Sequence, residues 1–216
     1  MPLNDERLLQ AIKEVKDKSE KRNFNQSIEL IINLRDIDPK KPESRIQELI
    51  GLPHPTEKEN RICVFASGEM ALRAKKAGAD LVVERPELEG MMGDKKRQRN
   101  LVKTYDFFIA EAPLMPLIGK VLGAVLGPKG KMPTPVPPTA DIAEHIKRYR
   151  KMVLIRLRGQ PVLQCRIGTE KMAEKQIAEN VQAVMRTIES KLRRGIKNVR
   201  SAYLKTTMGP SIKVSL

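Results

Sequence analysis

Six residues near the C-terminus, Thr206-Thr-Met-Gly-Pro-Ser, bring together two threonine hydroxyls, a methionine and a Gly-Pro pair. Such a segment makes a tight turn with an accessible main chain. Its chemistry is hydrogen bonding rather than catalysis: threonine hydroxyls and bare backbone groups can meet phosphates or 2′-hydroxyls. As protein structure alone it is a simple hairpin turn. A second candidate is Lys191-Leu-Arg-Arg-Gly-Ile-Lys-Asn-Val-Arg, which holds five cations and no acid. Charge runs are commonly solvated faces, but the excess of positive charge over the whole chain suits a polyanion.

The glycine-rich stretch from Gly119 to Lys131 has the glycines and lysines of a phosphate loop. A Walker motif needs GxxxxGK[ST] directly after a strand, whereas here an apolar helix comes first and Pro128 follows Gly127. It reads as a helix C-terminus stopped at Gly127, then a rigid loop, Met132-Pro-Thr-Pro-Val-Pro-Pro, with surface lysines suited to an RNA backbone. Catalysis finds little support. The histidines are His54, in a Pro-flanked linker, and His145, on a helix among Lys147, Arg148 and Arg150; no HExxH or GxSxG occurs. Cys63 and Cys165 lie in apolar runs with no CxxC spacing, so they read as buried thiols of a reducing cytosol. No cofactor or metal is implied.

The 216 residues carry 41 Lys+Arg against 26 Asp+Glu, a net charge of +15. That is a polyanion-binding balance, nucleic acid before anionic membrane. Aromatics are only 3%, with no Trp, which disfavours single-strand binders that stack bases on aromatic platforms. The apolar stretch over 114–126 is interrupted by Pro116, Lys120 and glycines, so it is no membrane span. Asn4, Asp5 and Glu6 open a helix rather than a signal peptide.

These candidates need elements to hold them. Leu8, Ile12 and Val15 share one face of a helix over 4–18. Residues 27–35 alternate, with Ile28, Leu30, Ile32 and Leu34 facing one way, which predicts a strand with one covered face. Asp38-Pro-Lys-Lys-Pro is a turn, 45–50 a shorter strand and 52–60 a linker. Then the pattern changes. Short apolar strands at 61–66, 81–84 and 106–110 alternate with helices at 68–77, 86–105 (broken near 90–93), 113–126 and 139–150. This alternation predicts a parallel sheet with helices on both faces. Beyond it, 152–158 and 161–167 flank Gly159-Gln160 as a hairpin. Ile177, Val181, Val184, Ile188 and Leu192 mark a helix over 170–193 ended by Gly195, and 203–207 and 211–215 are final strands.

Neither end of the chain alone has the apolar surface for a stable sheet. The expected architecture is a two-domain α+β / α/β protein. Residues 1–59 plus 151–216 form an α+β domain with an antiparallel sheet, and 60–150 form an inserted parallel α/β domain. The inserted segment carries +6 of the net charge.

Lys205-Thr-Thr-Met-Gly-Pro-Ser resembles the signature of the ribosomal protein L1 family of the large subunit. So do Asn23-Phe-Asn-Gln-Ser-Ile-Glu-Leu, Leu52-Pro-His, and the Leu-Gly-Pro-Lys-Gly between Gly119 and Gly130; Pro55 after His54 looks archaeal. The resemblance implies a discontinuous RNA-binding domain I and a Rossmann-like inserted domain II. It implies a structural constituent of the large ribosomal subunit that binds 23S rRNA, forms the mobile stalk beside the exit-site tRNA, and represses translation through its own mRNA. It implies a cytoplasmic protein, monomeric when free, with no membrane partner and no enzymatic activity. Carried over by motif, the RNA surface comprises Phe24 and Ser27 on the first strand, Gly168, Thr169, Ser201, Thr207, Met208, Gly209 and Pro210. Thr169 stands where many members carry Lys. Asn23 replaces a frequent basic residue, a charge that Lys21 or Arg22 supplies. The competing reading is a nucleotide- or small-molecule-binding α/β enzyme, with its cleft beyond the carboxyl ends of the inserted strands.

Overall fold

Alternating side chains decide the first strand and, through it, the larger sheet. Ser27–Leu34 forms β1, with Ile28, Leu30, Ile32 and Leu34 buried and Ser27, Glu29, Ile31 and Asn33 half-buried between them. The structure is a computed structural model that describes residues 5–39, 46–57 and 59–214. It falls into two compact units, Met1–Lys58 with Lys151–Leu216, and Glu59–Arg150.

The first unit contains α1 (Asp5–Asp17), β1, β2 (Gln47–Gly51), β7 (Met152–Arg156), β8 (Val162–Thr169), α7 (Glu174–Lys191), β9 (Val199–Thr206) and β10 (Ser211–Val214). β1 lies between β8 and β9, antiparallel to both, and the sheet runs β10-β9-β1-β8. α1 and α7 pack against each other and cover one face. Leu8, Ile12 and Val15 of α1 and Ile177, Val181, Val184 and Ile188 of α7 join the even-numbered side chains of β1 in one core. Burying each such side chain contributes about 1.5–3 kcal/mol against the entropy of ordering the chain. The face turned away from α1 and α7 carries Glu29, Ile31, Asn33, Tyr203 and Lys205, all half-buried, and the exposed Lys213.

The second unit contains β3 (Ile62–Phe65), α2 (Gly68–Lys76), β4 (Leu81–Val83), α3 (Arg85–Gly90), α4 (Lys95–Thr104), β5 (Phe107–Glu111), α5 (Met115–Lys129), β6 (Thr134–Val136) and α6 (Ile142–Arg150). Its sheet is parallel, in the order β4-β3-β5-β6. Cys63, Phe65, Phe108 and Ala110 pack beneath α3, α4 and α5. α2 and α6 pack together against β3. Among the described residues no helix is long and apolar enough to cross a membrane.

Several boundaries differ from the sequence reading, each for a physical reason. Residues 152–158 and 161–167 are not a hairpin. β7 pairs with β2 in a separate two-stranded sheet, Ile50 opposite Val153, while β8 pairs with β1, Ile32 opposite Leu163. The chain swings between the sheets at Gly159, whose φ of +69° suits glycine. α5 does not stop at Gly127. It runs through Pro128, in its last turn, to Gly130, whose φ of +67° ends it. Residues 134–136, expected as loop, are β6: a proline is tolerated in an edge strand, where one side of the ladder is unused. α7 ends at Lys191 with Leu192 as its cap, and Gly195 instead opens a 3-10 turn, Gly195–Asn198. β9 begins four residues earlier than the strand expected at 203. The expected turn over 38–42 lies outside the described residues at 40–42.

Gly51 pairs with Met152, and the Leu52 N–H donates to the Lys151 carbonyl at 2.9 Å, so the two ends of any cut around the second unit already lie together. Replacing residues 59–150 with a short Gly/Ser linker leaves roughly 125 residues, enough for one domain. That protein is expected to unfold in urea as one cooperative transition followed by circular dichroism. A disordered product would show that the chain ends do not form a self-sufficient core.

Candidate nucleic-acid interface

The turn between β9 and β10 is held from beneath. Gln26 is fully buried. Its Oε1 accepts the Met208 N–H at 3.0 Å, and its Nε2 donates to Ser19 Oγ and to the Glu20 carbonyl, both at 2.9 Å. Its backbone N–H donates to Glu170 Oε1 at 3.1 Å, and its carbonyl accepts the Glu170 N–H at 3.0 Å. Thr206 Oγ1 lies 2.9 Å from Ser19 Oγ and accepts the Gly209 N–H at 3.1 Å. A buried amide with its groups paired is fixed in place, because leaving one unpaired costs about 1–3 kcal/mol. The turn is therefore a rigid platform.

What the platform presents is exposed. Thr207, Met208 and Pro210 are open to solvent and Gly209 is half-buried. Thr207 Oγ1 accepts the Ser27 N–H at 3.2 Å, which joins the turn to the start of β1. Met208 and Phe24 are two of the few large apolar side chains left exposed, at 62% and 50%. Phe24 does not lie on β1, as the sequence suggested, but in the bend preceding it, where no ladder fixes the side chain inward. Lys21 and Arg22 are exposed beside it. Arg22 is paired with Glu20 at 2.7 Å, which offsets its charge.

Gly168 and Thr169 lie in the interior at the same end of the sheet, Thr169 opposite Ser27 and Gly168 opposite Ile28. Ile28 pairs with Gly168 and Glu29 with Arg166, so Ile167 is an extra residue. This bulge ends the alternation and turns three consecutive residues inward. Gly168 is small because a Cβ there would stand 3.2 Å from both Ile177 and Met172 of the layer above. Thr169 Oγ1 is buried with no hydrogen-bond partner among the described residues. Ser201 is elsewhere. It pairs with Asn33, whose Nδ2 donates to its Oγ at 3.1 Å, five residues along β9 from Thr206. Thus Phe24, Ser27, Thr169 and Thr207–Pro210 gather at one end, and Ser201 does not.

Two buried polar residues escaped sequence reasoning. Gln26 carries no local signal at all. Asn180 does: it sits on the apolar stripe of α7, three residues after Ile177 and four before Val184. Its Nδ2 donates to the carbonyl of the bulged Ile167 at 2.8 Å and to that of His54 at 2.9 Å, and its Oδ1 accepts the His54 N–H at 3.0 Å. His54 Nε2 meets Glu179 Oε2 at 2.5 Å. The Leu52-Pro-His segment is thereby fastened to α7.

The other candidates resolve as structure. Lys131 Nζ is half-buried and donates to the Tyr105 and Val102 carbonyls at 2.6 and 3.1 Å; burial pulls its pKa down, so it is a helix-end tie rather than a free phosphate contact. Both thiols are buried, and burial raises Cys165 to about 12 and Cys63 further. At the carboxyl ends of β3 and β5, Glu111 accepts from the Ser67 N–H at 2.9 Å and from its hydroxyl at 2.7 Å, so this carboxylate ties the two strand ends together.

Comparison with known proteins identifies a family. A family model described as the ribosomal protein L1p/L10e family matches residues 15–210. The chain is similar to the large ribosomal subunit protein uL1 of Hyperthermus butylicus, 47% identical over 96% of this chain and 95% of that protein. It is also similar to those of Methanothermobacter thermautotrophicus, 44% identical over 96% and 98%, and Pyrococcus abyssi, 46% identical over 99% and 98%.

Gly209 is required by close approach: a Cβ there would stand 2.2 Å from Thr206 Oγ1. Gly209→Ala must displace the turn or the buried Thr206. The expected loss is about 1–3 kcal/mol, read as a lower urea midpoint with secondary structure retained. An unchanged midpoint would show that the turn has slack.

Proposed function

The chain belongs to the ribosomal protein L1p/L10e family and is a large-subunit ribosomal protein rather than an enzyme; from that premise we propose that the unit built from both chain ends binds a structured site on 23S rRNA. The observation that carries this reading is the rigid, exposed turn Thr207–Pro210 set beside Phe24 and Ser27 on a strongly basic chain. A hydroxyl, a small backbone and two apolar faces in one patch suit a folded RNA, whose 2′-hydroxyls and splayed bases such groups can meet. Lys21, Lys205 and Lys213 add charge around it. In this reading the site residues are Lys21, Arg22, Phe24, Ser27 and Thr207 to Pro210. Gly168 and Thr169 support them from within, and the buried Ser201 supports the sheet face further along β9 through its bond from Asn33.

Two roles follow from an rRNA site. The bound protein forms the mobile stalk beside the exit-site tRNA, and a copy of the same RNA structure in its own mRNA lets it repress translation. Both place it in the cytoplasm with the ribosome.

Filter binding to an in-vitro transcribed 23S rRNA tests the site. Thr207→Val and Met208→Ala are expected to weaken binding by about 1–3 kcal/mol, roughly five- to 150-fold. The thermal stability of Met208→Ala should stay within about 0.5 kcal/mol of wild type, because its side chain is exposed, while Thr207→Val also gives up the bond from the Ser27 N–H and should lose about 1 kcal/mol without unfolding. Affinity should fall with salt, log K against log salt having a slope of about −0.7 to −0.9 per phosphate neutralised. Wild-type affinity in both variants would remove the turn from the interface.

A further inference from the structure

The basic run singled out in the sequence is not a uniform solvated face. Two of its cations, Arg194 and Lys197, line a cleft of about 680 Å³ together with Arg35 and Asp36, which follow directly on β1. The run and the end of β1 are more than 150 residues apart in the chain. They meet because Leu34 pairs with Val199 where β1 and β9 run side by side.

The cleft is built rather than incidental. Asn198, buried at 3% exposure, clamps its two walls. The Asn198 Oδ1 accepts the Arg194 N–H at 2.9 Å, its Nδ2 donates to the Arg35 carbonyl at 3.1 Å, and its own carbonyl accepts the Arg35 N–H at 2.8 Å. Arg35 Nε donates to the Lys197 carbonyl at 2.6 Å, which orients the guanidinium. Asp36 has a φ of +58°, a conformation that costs a non-glycine residue of order 1 kcal/mol and turns the chain sharply at the rim. Three cations thus stand around one acid. Among the described residues the acid makes a single long contact, 3.5 Å from Arg194 Nη1 to Asp36 Oδ2, between two well-exposed side chains. Exposed pairs of this kind contribute little and exchange readily for a better anion.

We propose that this cleft is a second phosphate-binding site, which takes a backbone phosphodiester of the same RNA that the Thr207–Pro210 turn engages. The inference rests on the RNA-binding reading above and extends it. Ser27 and Arg35 lie at opposite ends of β1, on the order of 25 Å apart at strand spacing. Between them runs the sheet face turned away from α1 and α7, with the half-buried Lys205 and Tyr203 and the buried Ser201 on β9 and the exposed Lys213 on β10. A strand that size spans several nucleotides, so one RNA reaches both ends. The turn reads local shape, while the cleft supplies charge and fixes the angle at which the RNA lies across the sheet.

The test compares wild type, the Arg194→Gln/Lys197→Gln double variant and Thr207→Val on an in-vitro transcribed 23S rRNA. All three substituted side chains are exposed, and Asn198 is left intact. Two quantities are read: the salt slope of affinity and the pattern of nucleotides protected from hydroxyl radicals. The double variant is expected to lower the slope by about 1.4–1.8, equivalent to roughly a tenfold smaller affinity loss between 50 and 200 mM salt. It should also lose protection at backbone positions several nucleotides from those that Thr207→Val exposes. An unchanged slope with an unchanged footprint overturns the cleft and leaves the RNA-binding reading standing. Loss of protection at the Thr207-dependent nucleotides alone also overturns it, since the cleft would then have no footprint of its own. If wild type itself shows neither binding nor protection, the RNA-binding reading fails and takes the cleft with it.

Discussion

The hydrogen-bond ladders on either side of β1 are the interaction on which the first unit depends. β1 comes from the N-terminal part of the chain, while β8 and β9 come from beyond the second unit. Without β1 the sheet separates into β8 alone and the β9–β10 pair, and a two-stranded ribbon is marginal in water. With it, the apolar side chains of α1 and α7 find one continuous surface. What meets at the two ends of the sheet follows from the same pairing. Ser27 is brought to Thr207 at one end and Arg35 to Asn198 at the other because β1 has the length and register to reach both.

Buried polar side chains then do what apolar packing cannot. Packing fixes how close two elements lie but tolerates small slides; a buried amide held by two or three hydrogen bonds does not. Gln26, Asn180 and Asn198 each sit where segments distant in sequence must be held in register: the turn on the β1 entry, the Leu52-Pro-His segment on α7, and the basic 3-10 turn on the β1 exit. Each ties at least one backbone group that no strand or helix ladder uses. Electrostatics plays the complementary part. The ion pairs are largely solvent-exposed and add little stability, so the positive excess remains available to a partner.

Much of this was legible before any coordinates. The period-two pattern of Ile28 to Leu34 and the 3.6 period of Ile177 to Ile188 state their own secondary structure, and the change of pattern near residue 60 marks the second unit. The Thr-Thr-Met-Gly-Pro turn was legible as an exposed, polar loop. What stayed hidden depends on partners rather than on local pattern. β7 and β8 look like a hairpin because nothing in residues 152–167 says that β2 and β1 compete for them. β6 is masked by its own prolines, which an edge strand alone can accommodate. The inward turn of Thr169 follows from a bulge, and a single extra residue leaves no compositional trace. Gln26 reads as one more polar residue in a polar loop, and Arg35 gives no hint that it meets Arg194 and Lys197.

The central place of β1 also sets a timetable. As the chain leaves the ribosome, β1 is complete at residue 34 but its partner β9 ends only at residue 206. At about 5–20 residues per second, the delay is on the order of 10–30 s. Both edges of β1 are unpaired until β8 follows at Val162–Thr169, one stays so until β9, and α1 is the one helix available to its apolar face until α7 is made. The intervening α/β unit is continuous in sequence, with neighbouring strands that need no late-arriving segment, so it can close while the outer unit waits. The nascent protein therefore matures from the middle outward. The surfaces at the two ends of β1, which need β9 beside it, come into existence only once residue 206 has been added.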